Sequence, residues 1–142
     1  MTLAPPQRLL LVDDDPAGAE LTLAALRAVD ASVEVEVLAD GEEALDYIFR
    51  RGPYAARPAT EPDALLLDLK MPKVDGHEVL RQIRQDPHTG GLKVVVLTSS
   101  DQAADLTLSQ ELGSDDYLVK PASIIDLIEQ LRRCRALGLA AS

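Results

Sequence analysis

Short unbroken apolar runs recur along this chain, and most of them end at a residue that can do chemistry. Leu9-Leu10-Leu11-Val12 leads into Asp13 and Asp14, and Ala64-Leu65-Leu66-Leu67 into Asp68. Val94-Val95-Val96-Leu97 leads into Thr98, and Tyr117-Leu118-Val119 into Lys120. Runs this short, without alternation, predict strands buried on both faces, as in a parallel sheet covered by helices. One segment differs. Val33 to Ala39 alternates Val33, Val35 and Val37 with Glu34 and Glu36, which predicts a half-buried edge strand.

Helical periodicity fills the intervals. Pro16 opens a helix whose stripe is Leu21, Leu23, Ala24, Ala25, Leu26 and Val29. Asp40-Gly41 opens a second, carrying Ala44, Leu45, Ile48 and Phe49. Val79, Leu80 and Ile83 mark a third, which Asp86-Pro87 breaks. A fourth, from about Gln102 to Leu112, has a weak apolar pattern and stops at Gly113. The last, from about Ile124 to Arg135, shows Ile124, Leu127, Ile128 and Leu131. Arg51 to Pro62 contains three prolines, two arginines and a glycine and no apolar period, so it predicts an extended loop beside the core. Strands alternating with helices predict one α/β domain over residues 1–142, its core at about 8–135 and followed by a short C-terminal extension.

Composition narrows the partners. The formal net charge of −10 argues against duplex DNA or an anionic membrane as the primary partner. Aromatic residues are 3% of the chain, so the core must be aliphatic. A lone cysteine, Cys134, excludes an internal disulfide and points to a reducing compartment. Met1 to Gln7 has neither the basic nor the apolar part of a secretory signal, and no apolar run approaches the roughly 20 residues that span a bilayer. A cytoplasmic protein is expected.

The candidate chemistry gathers on one edge. In a parallel sheet, Asp13, Asp14, Asp68, Thr98 and Lys120 all fall at the carboxyl ends of strands, where open α/β sheets bind ligands. Three carboxylates brought close repel one another and call for a cation. An all-oxygen, compact set suits Mg²⁺, which is commonly held by one or two carboxylates plus a phosphate. A lysine and a hydroxyl can contact phosphoryl oxygens. Together they read as a carboxylate nucleophile that forms an aspartyl phosphate.

Four segments in this order resemble the two-component response-regulator receiver domain: Leu10 to Pro16, Leu66 to Gly76, Val96 to Ser99, and Asp116 to Pro121. The resemblance runs from about Arg8 to Arg135. It implies a doubly wound (βα)5 flavodoxin-like fold with a five-stranded parallel sheet in the order 2-1-3-4-5. It implies Asp68 as phosphoacceptor, Asp14 as a direct Mg²⁺ ligand, Asp13 acting mainly through a metal-bound water, and the backbone carbonyl of Lys70 as a further ligand. Thr98 would be the switch hydroxyl, Lys120 the phosphoryl contact, and Tyr117 the aromatic that turns inward as Thr98 moves. The Lys120–Pro121 peptide would be cis, aiming the lysine. The long loop after Leu45-Asp46-Tyr47, the stretch Met71 to Leu80 and Leu97 to Ser100 resemble single-domain regulators paired with phytochrome-type histidine kinases. Such a kinase is therefore the expected partner.

Plainer roles compete at several positions. Asp15 and Asp75 read as helix caps, with Asp75-Gly76 a turn signal. His77 and His88 read as surface residues, Cys134 as a packing residue, and Tyr117 has core packing as its alternative. Arg132, Arg133 and Arg135 suit a helix C-terminus. The same resemblance implies that Lys70 and Ser100, two residues beyond Asp68 and Thr98, overhang the phosphoryl group and affect attack by water. Only a short stretch follows Pro121, so no effector domain is expected and output should pass through protein contact. The last helix's stripe, continued through Leu137 and Leu139, leaves room for a homodimer interface. Two other functions compete with this one. A turnover phosphohydrolase with an aspartate nucleophile would place it after the first strand, and a degenerate receiver would serve as a phosphorylation-independent binding scaffold.

Overall fold

The computed structural model describes residues 6–58 and 60–140. In chain order the elements are β1 (Arg8–Val12), α1 (Pro16–Val29), β2 (Glu34–Leu38), α2 (Gly41–Ile48), β3 (Ala64–Leu67), α3 (Gly76–Gln85), β4 (Lys93–Thr98), α4 (Ala103–Glu111), β5 (Asp116–Val119) and α5 (Ile124–Arg133). All strand pairs are parallel, and the sheet order is β2-β1-β3-β4-β5, as expected. β1 is continued by β2 on one side and β3 on the other, so the order reverses beside it. That reversal opens the crevice in which such sheets bind ligands.

Alternate residues of the inner strands feed two aliphatic cores. Leu9, Leu11, Leu66, Val95 and Leu97 face α1 and α5, meeting Ala25, Leu26, Val29, Leu127 and Leu131. Leu10, Val12, Leu65, Leu67 and Val94 face α2 and α3, meeting Ala44, Leu45, Ile48, Val79, Leu80 and Ile83. Burial on both faces is why these strands read as unbroken apolar runs. The edge strand β2 departs from the expected alternation: Val35 is half-buried, but Val37 is exposed and the deeply buried residue is Leu38.

α4 is the exception among the helices. Its only buried residue is Ser109, and it has almost no apolar face. Polar contacts hold it instead: His77 Nε2 in α3 lies 3.0 Å from Ser109 Oγ and 3.3 Å from the Asp105 carbonyl. His77 is thus half-buried and joins two helices, whereas a surface residue was expected; its partners sit in an element with no periodic signal to announce them. His88 is exposed, as expected.

Other expectations need correction. The Lys120–Pro121 peptide is trans, since no cis bond occurs among the described residues. Asp15 occupies the N-cap position of α1 but its side chain makes no capping bond, while its amide donates to Asp13 Oδ1. Asp75 does cap α3, accepting from the Glu78 amide. α5 ends at Arg133, and a 3₁₀ turn over Arg135–Leu137 folds back. Leu137 is fully buried in the α1/α5 core, with Leu139 packed against it, so neither residue extends an outward stripe. Cys134 is buried, as a packing residue should be.

The loop after α2 is more ordered than its composition predicts. It opens with a 3₁₀ turn at Gly52–Tyr54. The Arg57 side chain is only 7% exposed, lies over the Tyr47 ring at 4.4 Å and donates to the carbonyls of Tyr47, Ile48, Pro58 and Thr60. Tyr54 donates to Glu43 at 2.7 Å and meets Tyr47 edge-on. Those bonds dock the segment on α2.

Candidate functional site

The site begins in the sheet's own hydrogen bonding. The ladder runs one residue past three strands: Asp13 N–H donates to Leu38, Asp68 N–H to Val12, and Lys120 N–H to Thr98. Each side chain is thereby launched from a backbone position that the sheet has already fixed. A local device then repeats on the inner strands. Asp13 Oδ1 accepts from the Asp15 amide (2.9 Å), Asp68 Oδ1 from the Lys70 amide (3.4 Å) and Thr98 Oγ1 from the Ser100 amide (3.3 Å). Short polar side chains that bond the backbone two residues on hold turns of this kind. One oxygen of each carboxylate is occupied in shaping its own loop, which leaves the other free for the crevice.

Those free oxygens converge. Asp13, Asp14 and Asp68 each present a carboxylate oxygen within 4.8 Å of the other two. Two like charges at such a distance repel by roughly 3 kcal/mol at an effective dielectric of about 20. Asp13 and Asp68 are also buried, and Asp14 is exposed. A single cation offsets part of this repulsion: Lys120 Nζ donates to Asp13 Oδ2 at 2.9 Å and to Asp68 Oδ2 at 3.2 Å. Burial pulls the lysine's pKa down, but the Asp13 hydrogen bond and the Asp68 and Asp13 charges outweigh it, so the pKa sits above lysine's ordinary value. Three carboxylates facing one ammonium leave net negative charge in a compact all-oxygen cluster. The donor set fits a divalent cation.

The structure therefore brings together Asp13, Asp14, Asp68 and Lys120. Thr98, the last residue of β4, is fully buried at the same edge of the sheet, on the strand next to the one that Asp68 follows. Tyr117 is half-buried, and its hydroxyl donates to the Ser100 carbonyl at 2.9 Å. Burial pushes its pKa up. Lys70 and Ser100 stand at the rim, but their side chains meet a residue that sequence reasoning did not single out: Asp105, in the first turn of α4. Its Oδ2 lies 2.5 Å from Ser100 Oγ and 3.3 Å from Lys70 Nζ. The Ser100 hydrogen bond, helped by Lys70 and opposed by burial, holds its carboxyl below the usual carboxylate range. No pattern in the sequence marks it, because α4 has almost no apolar face.

A parallel five-stranded α/β sheet, carrying clustered carboxylates after β1 and β3 and a lysine after β5, defines the receiver class. The family model for the response regulator receiver domain matches residues 9–132, and the chain belongs to that family. It is 37% identical over 128 residues to the response regulator Rcp1 of Synechocystis sp., covering 90% of this chain and 86% of that one. The crystal structure of the phosphorylated cyanobacterial phytochrome response regulator RcpA superposes with a TM-score of 0.82 at 36% identity, covering 89% of each chain. That of the Mn²⁺-bound form of Rcp1 gives 0.82 at 35% identity, covering 94% of this chain and 95% of that one.

Proposed function

We propose that this protein is a phosphorylation switch in which Asp68 accepts a phosphoryl group from a histidine kinase. The convergence of Asp13, Asp14, Asp68 and Lys120 on one crevice carries the reading. In the transfer, a carboxylate oxygen of Asp68 bonds to phosphorus as the bond from phosphorus to the donor nitrogen breaks. Asp68 is suited to this because Oδ1 is anchored by the Lys70 amide while Oδ2 faces the crevice. The Lys120 ammonium, already beside Oδ2, would follow the incoming phosphoryl oxygens as a point charge. Thr98 would supply a hydroxyl from the neighbouring strand, and Tyr117, tied to the Ser100 carbonyl, would move with it.

The cation is Mg²⁺ in this reading. Asp14 and Asp68 would hold it directly, Asp13 mainly through water, and the Lys70 carbonyl would complete the protein's share. When bound, it neutralises charge on the transferring group. Support comes from the donor chemistry, and the related Rcp1 has a Mn²⁺-bound form.

The kinase is of the phytochrome type, since relatives across most of the chain are phytochrome response regulators. The protein acts as one receiver unit over 1–142, promoting its own loading and unloading without turning over an external substrate. Contact through the last helix region, including contact with a second copy, would use the exposed Ile124 and Ile125. A cytoplasmic location fits a kinase partner; no described helix is long and apolar enough to cross a membrane. Incubation with acetyl phosphate, with and without Mg²⁺, tests the switch. Intact-mass measurement should show gain of one phosphoryl group only with Mg²⁺, and none in Asp68→Asn. Equal gain in the two proteins would contradict it.

A further inference from the structure

A buried glycine opens α2, and its backbone does not call for one. The φ of Gly41 lies outside the left-handed region, and alanine would favour the helix. What the glycine supplies is space. A β-carbon built there would stand 1.9 Å from the Val74 carbonyl oxygen and 2.7 Å from the carbonyl carbon. Both are backbone atoms, so no side-chain rotation relieves the contact. Val74 belongs to the loop between β3 and α3, the loop that leads away from Asp68 through Lys70.

That loop is pinned at both ends. The Lys70 amide donates to Asp68 Oδ1 (3.4 Å), and the Gly76 amide to the Leu69 carbonyl (3.0 Å). Gly76 also packs on the strand end, since a β-carbon there would fall 2.3 Å from the Asp68 carbonyl oxygen. Between the pins Lys73 has φ 66°, a value uncommon for any residue but glycine. Its Nζ lies 3.6 Å from Asp40 Oδ2 and 3.9 Å from Glu42 Oε2. Asp40 is fixed in turn, because its Oδ1 caps α2 at the Glu43 amide (2.8 Å). The start of α2 thus meets the loop twice, at Val74 through Gly41 and at Lys73 through Asp40. On its other side the loop shares a cavity with Asp14, lined by Leu69, Lys70, Met71 and Pro72. The course of the loop therefore sets where the Lys70 carbonyl stands relative to the acid cluster.

We propose that the start of α2 is a backstop for this loop, and that it tunes the affinity of the acid cluster for a divalent cation. Gly41, by admitting the Val74 carbonyl, and Lys73, by pairing with Asp40, are its positioning residues. They hold the loop in the course that presents the Lys70 carbonyl to the cation. The inference rests on the cation reading above and adds to it residues that lie outside the acid cluster. A methyl group at position 41 displaces the loop from α2, and the Lys70 carbonyl moves with it. The three carboxylates, which belong to other loops or to the fixed end of β3, stay where they are.

Calorimetric titration of the full chain with Mg²⁺, with no phosphoryl donor present, tests this. Gly41→Ala should bind Mg²⁺ about tenfold more weakly than wild type, the lower end for a residue that orients a metal ligand. In EDTA its Gly76 amide should exchange faster than that of wild type, because the bond to Leu69 closes the displaced loop. Lys73→Met separates the backstop from plain electrostatics. Removing a cation from this loop would by charge alone tighten Mg²⁺ binding. Losing the Asp40 pair should instead weaken it, by about two- to threefold. Lys73→Arg should bind as wild type does. Lys73 is largely exposed, so its variants carry the test even where Gly41→Ala does not fold. Arg57→Ala, which loosens the other end of α2, should leave the affinity unchanged. Wild-type affinity or wild-type Gly76 exchange in Gly41→Ala, unchanged or tighter binding in Lys73→Met, or an equal loss in Arg57→Ala would each overturn the backstop alone. A wild-type protein that binds no Mg²⁺ would overturn the cation reading and the backstop with it.

Discussion

The Lys120 ammonium, at the end of β5, lies 2.9 Å from Asp13 Oδ2 at the end of β1, three strands away in the sheet. It also reaches Asp68, so one cation spans the acid cluster. Removing it leaves three neighbouring carboxylates without their shared counter-charge. Lys120→Met should therefore lower stability without divalent cations by about 1–3 kcal/mol, less than a fully buried pair because the lysine is partly exposed. Millimolar Mg²⁺ should recover much of the loss by binding the folded state. Thermal unfolding with EDTA and with Mg²⁺ measures both; equal Tm values for wild type and variant in EDTA would contradict the account. Because the folded-state pKa is raised, this stabilisation is complete below lysine's unfolded value and is lost only as pH rises through the higher folded one. The wild-type advantage should thus persist at neutral pH and fade in strong alkali.

Arg57 makes the loop after α2 part of the fold. Its guanidinium bonds four carbonyls and covers the Tyr47 ring while nearly buried. Arg57→Ala should cost about 2–4 kcal/mol by leaving those acceptors unpaired. Urea unfolding would show it as a lower midpoint, and proteolysis should then cut first near this loop.

Asp30 ties the chain's end to α1. Its carboxylate accepts from the Ser32 hydroxyl and amide and from the Ala140 amide at 3.0 Å. The Ser32 hydroxyl bond leads, with the Ala140 amide next, in holding its pKa below the ordinary carboxylate value against burial. A depressed folded pKa adds stability that is present above the unfolded value, near 4, and lost as pH falls through the folded one. Hydrogen exchange at Ala140, taken relative to the intrinsic rate at each pH, should accelerate as pH falls below the usual carboxylate range. In Asp30→Ala it should be fast at pH 7 as well; slow exchange there would show that the tether is not the restraint.

Much of this was legible beforehand because strand burial writes itself into sequence. β1, β3 and β4 read as apolar runs since both faces are covered, and the residues that follow them inherit a common edge from parallel pairing. Asp13, Asp14, Asp68, Thr98 and Lys120 followed from that alone. What stayed hidden depends on contacts between elements. Nothing periodic marks Asp105 or His77, because α4 is seated by polar bonds. Arg57 lies in a loop with no apolar period, and the carbonyls that bind it come together only in the folded chain. Leu137 continued a helical stripe in sequence, but α5 stops before it and a 3₁₀ turn sends it inward. The trans Lys120–Pro121 bond departs from the family expectation, and no residue pattern distinguishes the isomers.

Cys134 offers a check on the core that does not involve the site. Burial, with the Asp116 carboxylate 3.5 Å away, pushes the thiol up to about 11. Thiolate is the reactive form, so iodoacetamide at pH 8 should label the folded protein very slowly and the urea-unfolded protein readily. Rapid labelling of the native state would mean that the packing around α5 is looser than described.

The central claim is that the phosphoryl group resides on Asp68. Its most direct test is chemical: phosphorylate the wild-type protein with acetyl phosphate and Mg²⁺, reduce the acyl phosphate with borohydride, and map the modified residue by peptide mass spectrometry. The account predicts homoserine at position 68 alone. Modification at Asp13, Asp14 or elsewhere, with Asp68 intact, would contradict it.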